Sequence, residues 1–199
     1  MDAHAKTARS RRELTKAQNR ETILAAGRQV FAEMGFAAVT VRDIIRATPL
    51  ASGTFYNYFK SKEDVYLALR DEVALTVRPR LRAARQGAET AEGFLFESFL
   101  AFFRFAAESS SEQPTGAVRF RMDSPEVVAG FGELREDIDT AVAQGLLPAM
   151  DTGFLTAALT GVAFELAEQV KGGAEPESAS RFATAIFLGG LPALSRQPD

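Results

Sequence analysis

Residues 41–66 read VRDIIRATPLASGTFYNYFKSKEDVY, and this stretch decides how the 199-residue chain is understood. Thr40 stands three residues ahead of Asp43, the spacing of a capping box, with Val39 and Ile44 placed to pack across the cap as a hydrophobic staple. A helix therefore begins at residue 41 and is expected to stop before Pro49, because proline disfavours helical dihedrals in the residue preceding it. A second short helix is expected over residues 52–59. Ser61 and Asp64 repeat the capping-box spacing and open another. At about 100° per residue, Phe55 and Phe59 share one face with Tyr58 beside them, while Gly53, Tyr56, Asn57 and Lys60 take the other. The inward face is apolar. The outward face offers a position without a side chain, a phenol, an amide and an ammonium. Two short helices joined by a tight turn, the second with such a face, are the ingredients of a helix-turn-helix, in which one helix crosses the DNA backbone and the other lies in the major groove.

Upstream, Ile23, Leu24, Val30, Phe31 and Met34 recur at helical spacing and Gly35 supplies a stop, giving a first helix over residues 20–34. Residues 1–18 read as a basic, mobile tail. The net charge of −3 conceals a split: residues 1–60 hold 10 Lys and Arg against 5 Asp and Glu, whereas residues 61–199 hold 13 against 21. A +5 end on a −8 body suggests an end that meets a polyanion, although a basic tail is also commonly no more than solvated.

The run of residues 41–66, with the first helix ending in FAEMGF, resembles the DNA-binding signature of TetR-type transcriptional regulators. The motif Gly-Thr-aromatic-Tyr-x-Tyr-Phe-x-x-Lys carries the resemblance across residues 19–66. Pro49, Ala51 and Ser52 depart from the usual Ala-Gly-Val-Ser-Lys-Gly turn: they stand at the turn glycine, the capping serine and the phosphate-approaching lysine. Ser52 is expected to take over the cap. The resemblance implies an all-α chain, with an N-terminal three-helix helix-turn-helix domain at residues 19–66 joined to a helical bundle at residues 67–199 that binds an effector and dimerises.

Each candidate DNA-binding residue has a chemical reason and a plainer alternative. Gly53 lets the backbone approach a duplex closely, or simply starts a helix. Thr40 and the amides behind it could hold a phosphate, or cap without DNA. Tyr56 and Tyr58 offer phenolic donors to phosphate oxygens, as Thr54 and Ser52 offer hydroxyls, and Tyr58 is the more buried of the two phenols. Asn57 is the candidate base reader, since an amide pairs with adenine in the major groove. Lys60 and Lys62 are backbone-directed charges, with Lys62 matching the family's phosphate-contact position, and Arg42 could reach either a base or the backbone.

In the acidic body, Pro79 and RAARQGAET are expected to separate a fourth helix from a long fifth one. Residues 94–105, FLFESFLAFFRF, carry six phenylalanines and two leucines. They wrap about two thirds of a helix circumference, wider than the ~100° stripe of a surface helix, so this helix must be surrounded. It is either a central core helix or one whose rings Phe96, Phe99, Phe102 and Phe103, with Phe164, line an effector cavity. Arg119 and Arg121 are the candidate partners for an anionic group on the effector. Pro125 is expected to start a short helix. Leu155, Leu159, Val162 and Leu166, then Phe182, Ile186 and Phe187, mark two amphipathic helices expected to dock on a second copy, although a monomer burying them internally has the same pattern.

Catalysis finds little support. The single histidine, His4, lies in the tail; there is no cysteine, no metal-spaced cluster, no phosphate-binding glycine loop and no nucleophile elbow. No cofactor or metal is expected. Arg104 and Glu97 interrupt the richest apolar run, so no membrane span is expected, and the first fifteen residues show Lys6, Arg9, Arg11 and Arg12 with no apolar block behind them. The expectation is a cytoplasmic homodimer that represses from a palindromic double-stranded operator and is released by a small apolar or aromatic effector. The alternative is a helical ligand-binding module whose DNA binding is weak or lost.

Overall fold

The computed structural model describes residues 2–108 and 124–194. Its elements there are helices alone: α1 (Asp2–Met34), α2 (Val41–Arg46), α3 (Ser52–Tyr56), α4 (Lys62–Gln86), α5 (Ala91–Glu108), α6 (Pro125–Ala143), α7 (Thr152–Lys171) and α8 (Pro176–Leu194). The described chain divides within α4, between Arg70 and Asp71, into two compact units.

The first unit closes around Ile23, Leu24, Val30 and Phe31 of α1, Ile44 of α2, Phe55 and Phe59 around α3, and Val65, Tyr66 and Leu69 of α4. Phe36 seals the α1–α2 turn, 4.8 Å from Tyr66 and 5.5 Å from Phe31 between ring centroids. Gly35 takes φ 75°, a conformation that a side chain disfavours, and its N–H returns to the Phe31 carbonyl to end α1. α1 begins well before residue 20, so the expected mobile tail is helical backbone. The stretch ahead of residue 20 has neither glycine nor proline and is rich in Ala, Arg and Lys, which all favour helix.

In the second unit α5 is enclosed by α7 and α8, and α6 packs on α7. Phe94, Leu95, Phe99 and Phe103 are buried with Ile138, Leu147, Leu155, Leu159 and Ala183, so the surrounded helix read from the sequence is the central one. Each such ring or aliphatic side chain stabilises by about 1.5–3 kcal/mol through burial.

Three expectations for this unit need correction. Pro79 does not end a helix: α4 runs through it to Gln86. Anchors on both sides of the proline hold α4 against α6. Arg78 pairs with Glu126 and Glu133 on one side, and Arg85 bonds Asp137 at 2.7 Å on the other, with 5% and 11% of the two side chains exposed. α6 is not short either. Asp71 stabilises its start, accepting from the Ser124 hydroxyl and, at 3.1 Å, from the Glu126 N–H, which places a carboxylate at the positive end of the helix. Finally, Leu155 and Leu159 belong to the chain's own core, and Val162 and Leu166 pack half-buried against it. Phe187 stacks on Phe99 at 5.9 Å. Heptad-like spacing identifies a buried stripe but not what buries it. Outward apolar side chains on α7 and α8 include Phe154, Phe182 and Ile186, exposed by 78%, 58% and 50%.

Candidate nucleic-acid interface

α3 is shorter than expected, closing at Asn57, and its two faces separate cleanly. Phe55 is 1% exposed whereas Tyr56 is 58% exposed, with Gly53, Asn57 and Lys60 also on the surface. Nothing stands within 4 Å of where a Cβ on Gly53 would be, so the backbone there is open to close approach. Thr54 and Tyr58 are half-buried, and Tyr58 packs against the core. Ser52 is exposed as the first residue of α3; Ala51 is the N-cap, and no side chain caps this helix. The expected capping role of Ser52 is therefore not realised.

The turn ahead of α3 accommodates Pro49 through Thr48. Its hydroxyl donates to the Ile45 carbonyl at 2.9 Å and accepts the Leu50 N–H at 3.2 Å, stitching both sides of a residue that has no N–H of its own. Arg42 is exposed on α2.

Two residues expected at phosphates are otherwise engaged. The Lys62 ammonium donates to the carbonyls of Phe36 and Val39, both at 2.8 Å, lies 3.4 Å from that of Ala37, and stands 4.5 Å from the Phe36 ring centroid. An ammonium has three donors, and these are turned inward to hold the α1–α2 turn. Thr40 donates both its N–H and its hydroxyl to Asp43 Oδ2, at 2.9 and 2.6 Å. Those bonds from Thr40 hold the Asp43 carboxyl below its ordinary value. The Thr40 bonds are the capping box that its spacing announces, whereas the Lys62 role was not visible from spacing, since its partners lie more than twenty residues away.

Four of the five expected effector rings form one chain of contacts, joined where Phe102 meets Phe103 at 6.2 Å. Phe99 and Phe103 stack in the core at 5.7 Å. Phe102 meets Phe164 edge-on at 5.5 Å, and Phe131, which the sequence reading missed, meets Phe164 at 6.3 Å. Phe96 lies apart, 6.0 Å from the Arg181 guanidinium. Arg119 and Arg121 fall outside the described residues. Among those residues the Thr184 hydroxyl, on α8, is buried without a hydrogen-bond partner. No group of His, Cys, Asp and Glu among them could hold a metal, and no described helix is long and apolar enough to cross a membrane.

Residues 23–69 match the family described as bacterial regulatory proteins, tetR family. An HTH-type transcriptional regulator of Haemophilus influenzae is 28% identical over 101 residues, covering 50% of this chain and 49% of the relative, so the match spans about half of either protein. Among solved structures, the regulator FadR of Bacillus subtilis in complex with stearoyl-CoA has a TM-score of 0.69 at 20% identity, covering 85% of this chain and 98% of that one. RolR in complex with resorcinol has 0.65 at 18%, covering 94% and 97%. The matched segment, residues 23–69, carries the helix-turn-helix of the tetR family, and the fold of the chain is similar to that of these solved regulators along most of its length.

Proposed function

We propose that this protein binds a two-fold DNA operator as a homodimer, represses from it, and is released by a small apolar or aromatic effector. The observation that carries the reading is the outward face of α3: an open Gly53 backbone, an exposed phenol at Tyr56, an amide at Asn57 and a cation at Lys60, all over a buried Phe55. Tyr56 donates to a phosphate oxygen and fixes register, while Asn57 reads a base edge. One helix this short makes few base contacts. Two of them at a fixed spacing read a palindrome.

For the effector, FadR with stearoyl-CoA and RolR with resorcinol support an apolar or aromatic molecule in a body of this fold. In this chain the rings of Phe102, Phe131 and Phe164 supply an aromatic cluster with a partly exposed edge, and the unpartnered Thr184 hydroxyl offers a separate polar contact. Release requires that the effector favour the arrangement with the wrong spacing of recognition helices; a coupling of about 1–3 kcal/mol loosens DNA roughly 5- to 150-fold.

Titrations of a duplex from the gene's own upstream region and of a scrambled duplex test the reading. Tyr56→Ala weakens binding to both, whereas Asn57→Ala lowers only the preference between them. Equal losses on both duplexes for Asn57→Ala remove its base-reading role. Absence of any binding at low salt leaves the ligand-binding module as the function.

A further inference from the structure

α1 reaches back to Asp2, and among its described side chains burial in the core begins only at Ile23. Residues 12–18 are all exposed, and Leu14, the one large apolar side chain in the stretch of residues 2–20, is 67% exposed. Such a stretch has no apolar stripe with which to dock on protein or on a membrane surface. It carries charge instead: Lys6, Arg9, Arg11, Arg12, Lys16 and Arg20 against Asp2 and Glu13. Arg12, Lys16 and Arg20 recur every fourth residue and so form one ridge along the helix, about 12 Å long at 1.5 Å per residue. The ridge starts beside the recognition helix. The Arg20 guanidinium lies 5.6 Å from the ring centroid of Phe59, two residues beyond the Asn57 cap of α3.

We propose that the N-terminal turns of α1 are a second DNA-binding element, a rigid basic ridge laid on the phosphate backbone next to the half-site that α3 reads. The proposal rests on the regulator reading above and adds to it a separate source of affinity. Charge complementarity selects the partner: a helix polar all round with a clear excess of cations finds its counterpart in a row of phosphates. Phosphate contacts position a protein and carry no sequence information. The ridge therefore raises affinity for every duplex alike. Residues 12–18 are exposed along α1, and a helical stretch with so little packing is marginal in water; the duplex supplies a surface for it.

The test uses the full chain with Arg12→Gln and Lys16→Gln together, both exposed side chains, with helix content checked by circular dichroism. Binding to the upstream and scrambled duplexes is followed from about 50 to 300 mM salt, with Tyr56→Ala in parallel. Loss of up to four phosphate contacts per dimer flattens the slope of log affinity on log salt by roughly 2 to 4, and lowers affinity at least about tenfold on both duplexes with their ratio unchanged. An unaltered slope overturns the proposal, as does a loss confined to the upstream duplex. A shift in dimer dissociation with the slope unaltered overturns it in favour of a protein partner. Wild-type binding that Tyr56→Ala abolishes and the double variant leaves intact sinks the ridge alone. Failure of the wild type on both duplexes takes the regulator reading with it.

Discussion

A Cβ on Gly27 would stand 2.6 Å from Cγ1 of Val65, so α1 and α4 approach each other at a point where only glycine fits. Val65 is fully buried and Leu69 and Phe31 crowd the same spot, leaving no room for the valine to yield. Gly27→Ala therefore forces the two helices apart. The alanine gains some helix propensity, but overpacking of a tight core costs about 1–3 kcal/mol, which exceeds the ~1 kcal/mol gained. Thermal melting should show the loss, and affinity for the upstream duplex should fall with it, because the same core seats Phe55 beneath the reading face of α3. An unchanged melting temperature contradicts the close approach.

Lys62 gives a sharper contrast between a structural and a DNA-contacting cation. Its bonds to the Phe36 and Val39 carbonyls fix the turn between α1 and α2, and hydrogen bonds to a charged group contribute about 1.5–3 kcal/mol. Lys62→Met keeps the aliphatic stem over Phe36 and removes the donors. Urea unfolding should show a loss of about 2 kcal/mol or more, while the dependence of DNA affinity on salt stays as in the wild type. A flattened salt dependence at unchanged stability would return Lys62 to the phosphates.

The acid side of the stability profile follows from Glu133 and Asp43. The hydrogen bond from Arg78 holds the Glu133 carboxyl below its usual 4.5, and those from Thr40 hold Asp43 below 3.8. In both cases the unfolded chain binds the proton more readily than the folded one. Their stabilisation is thus complete above those ordinary values and is lost as pH falls through the lower folded ones. Unfolding free energy measured from about pH 7 to pH 2 should be level down to about pH 5 and then decline. Glu133→Gln should make that decline shallower. An identical profile in the variant means that the Arg78–Glu133 pair does not contribute.

Much of the first unit was legible because its signals are local. The Thr40–Asp43 and Ser61–Asp64 spacings fix two helix starts, and both are realised: the Ser61 hydroxyl accepts the Asp64 N–H at 3.1 Å and Asp64 accepts the Lys60 N–H at 2.8 Å. Phe55 and Phe59 were assigned inward by helical period alone and are buried. What escaped depends on distant partners. Lys62 looked like a surface cation because its acceptors are in another turn of the chain, and Pro79 looked like a helix end because Arg78 and Arg85 find their carboxylates on α6. The faces of α7 failed for a related reason: leucines spaced for burial satisfy a neighbouring helix and a second subunit equally well.

That distinction at α7 and α8 can be measured. Leu159 is 6% exposed inside the chain's own core, while Phe182 and Ile186 project outward from α8 and Phe154 from α7, with Ala157, Ala158 and Gly161 on the same exposed side of α7. Small residues beside large rings allow two helix pairs to approach closely, as a four-helix interface between copies requires. Phe182→Glu puts a charge at an exposed position of α8 without touching the core. Sedimentation should show a monomer with wild-type helix content, and operator affinity should collapse, since a single half-site gives too few contacts. Leu159→Ala should do the reverse, costing about 2–5 kcal/mol of stability through the cavity it leaves, with the folded fraction still dimeric. A dimeric Phe182→Glu protein would mean that copies associate through some other face, and an unstable one would mean that Phe182 supports the fold itself.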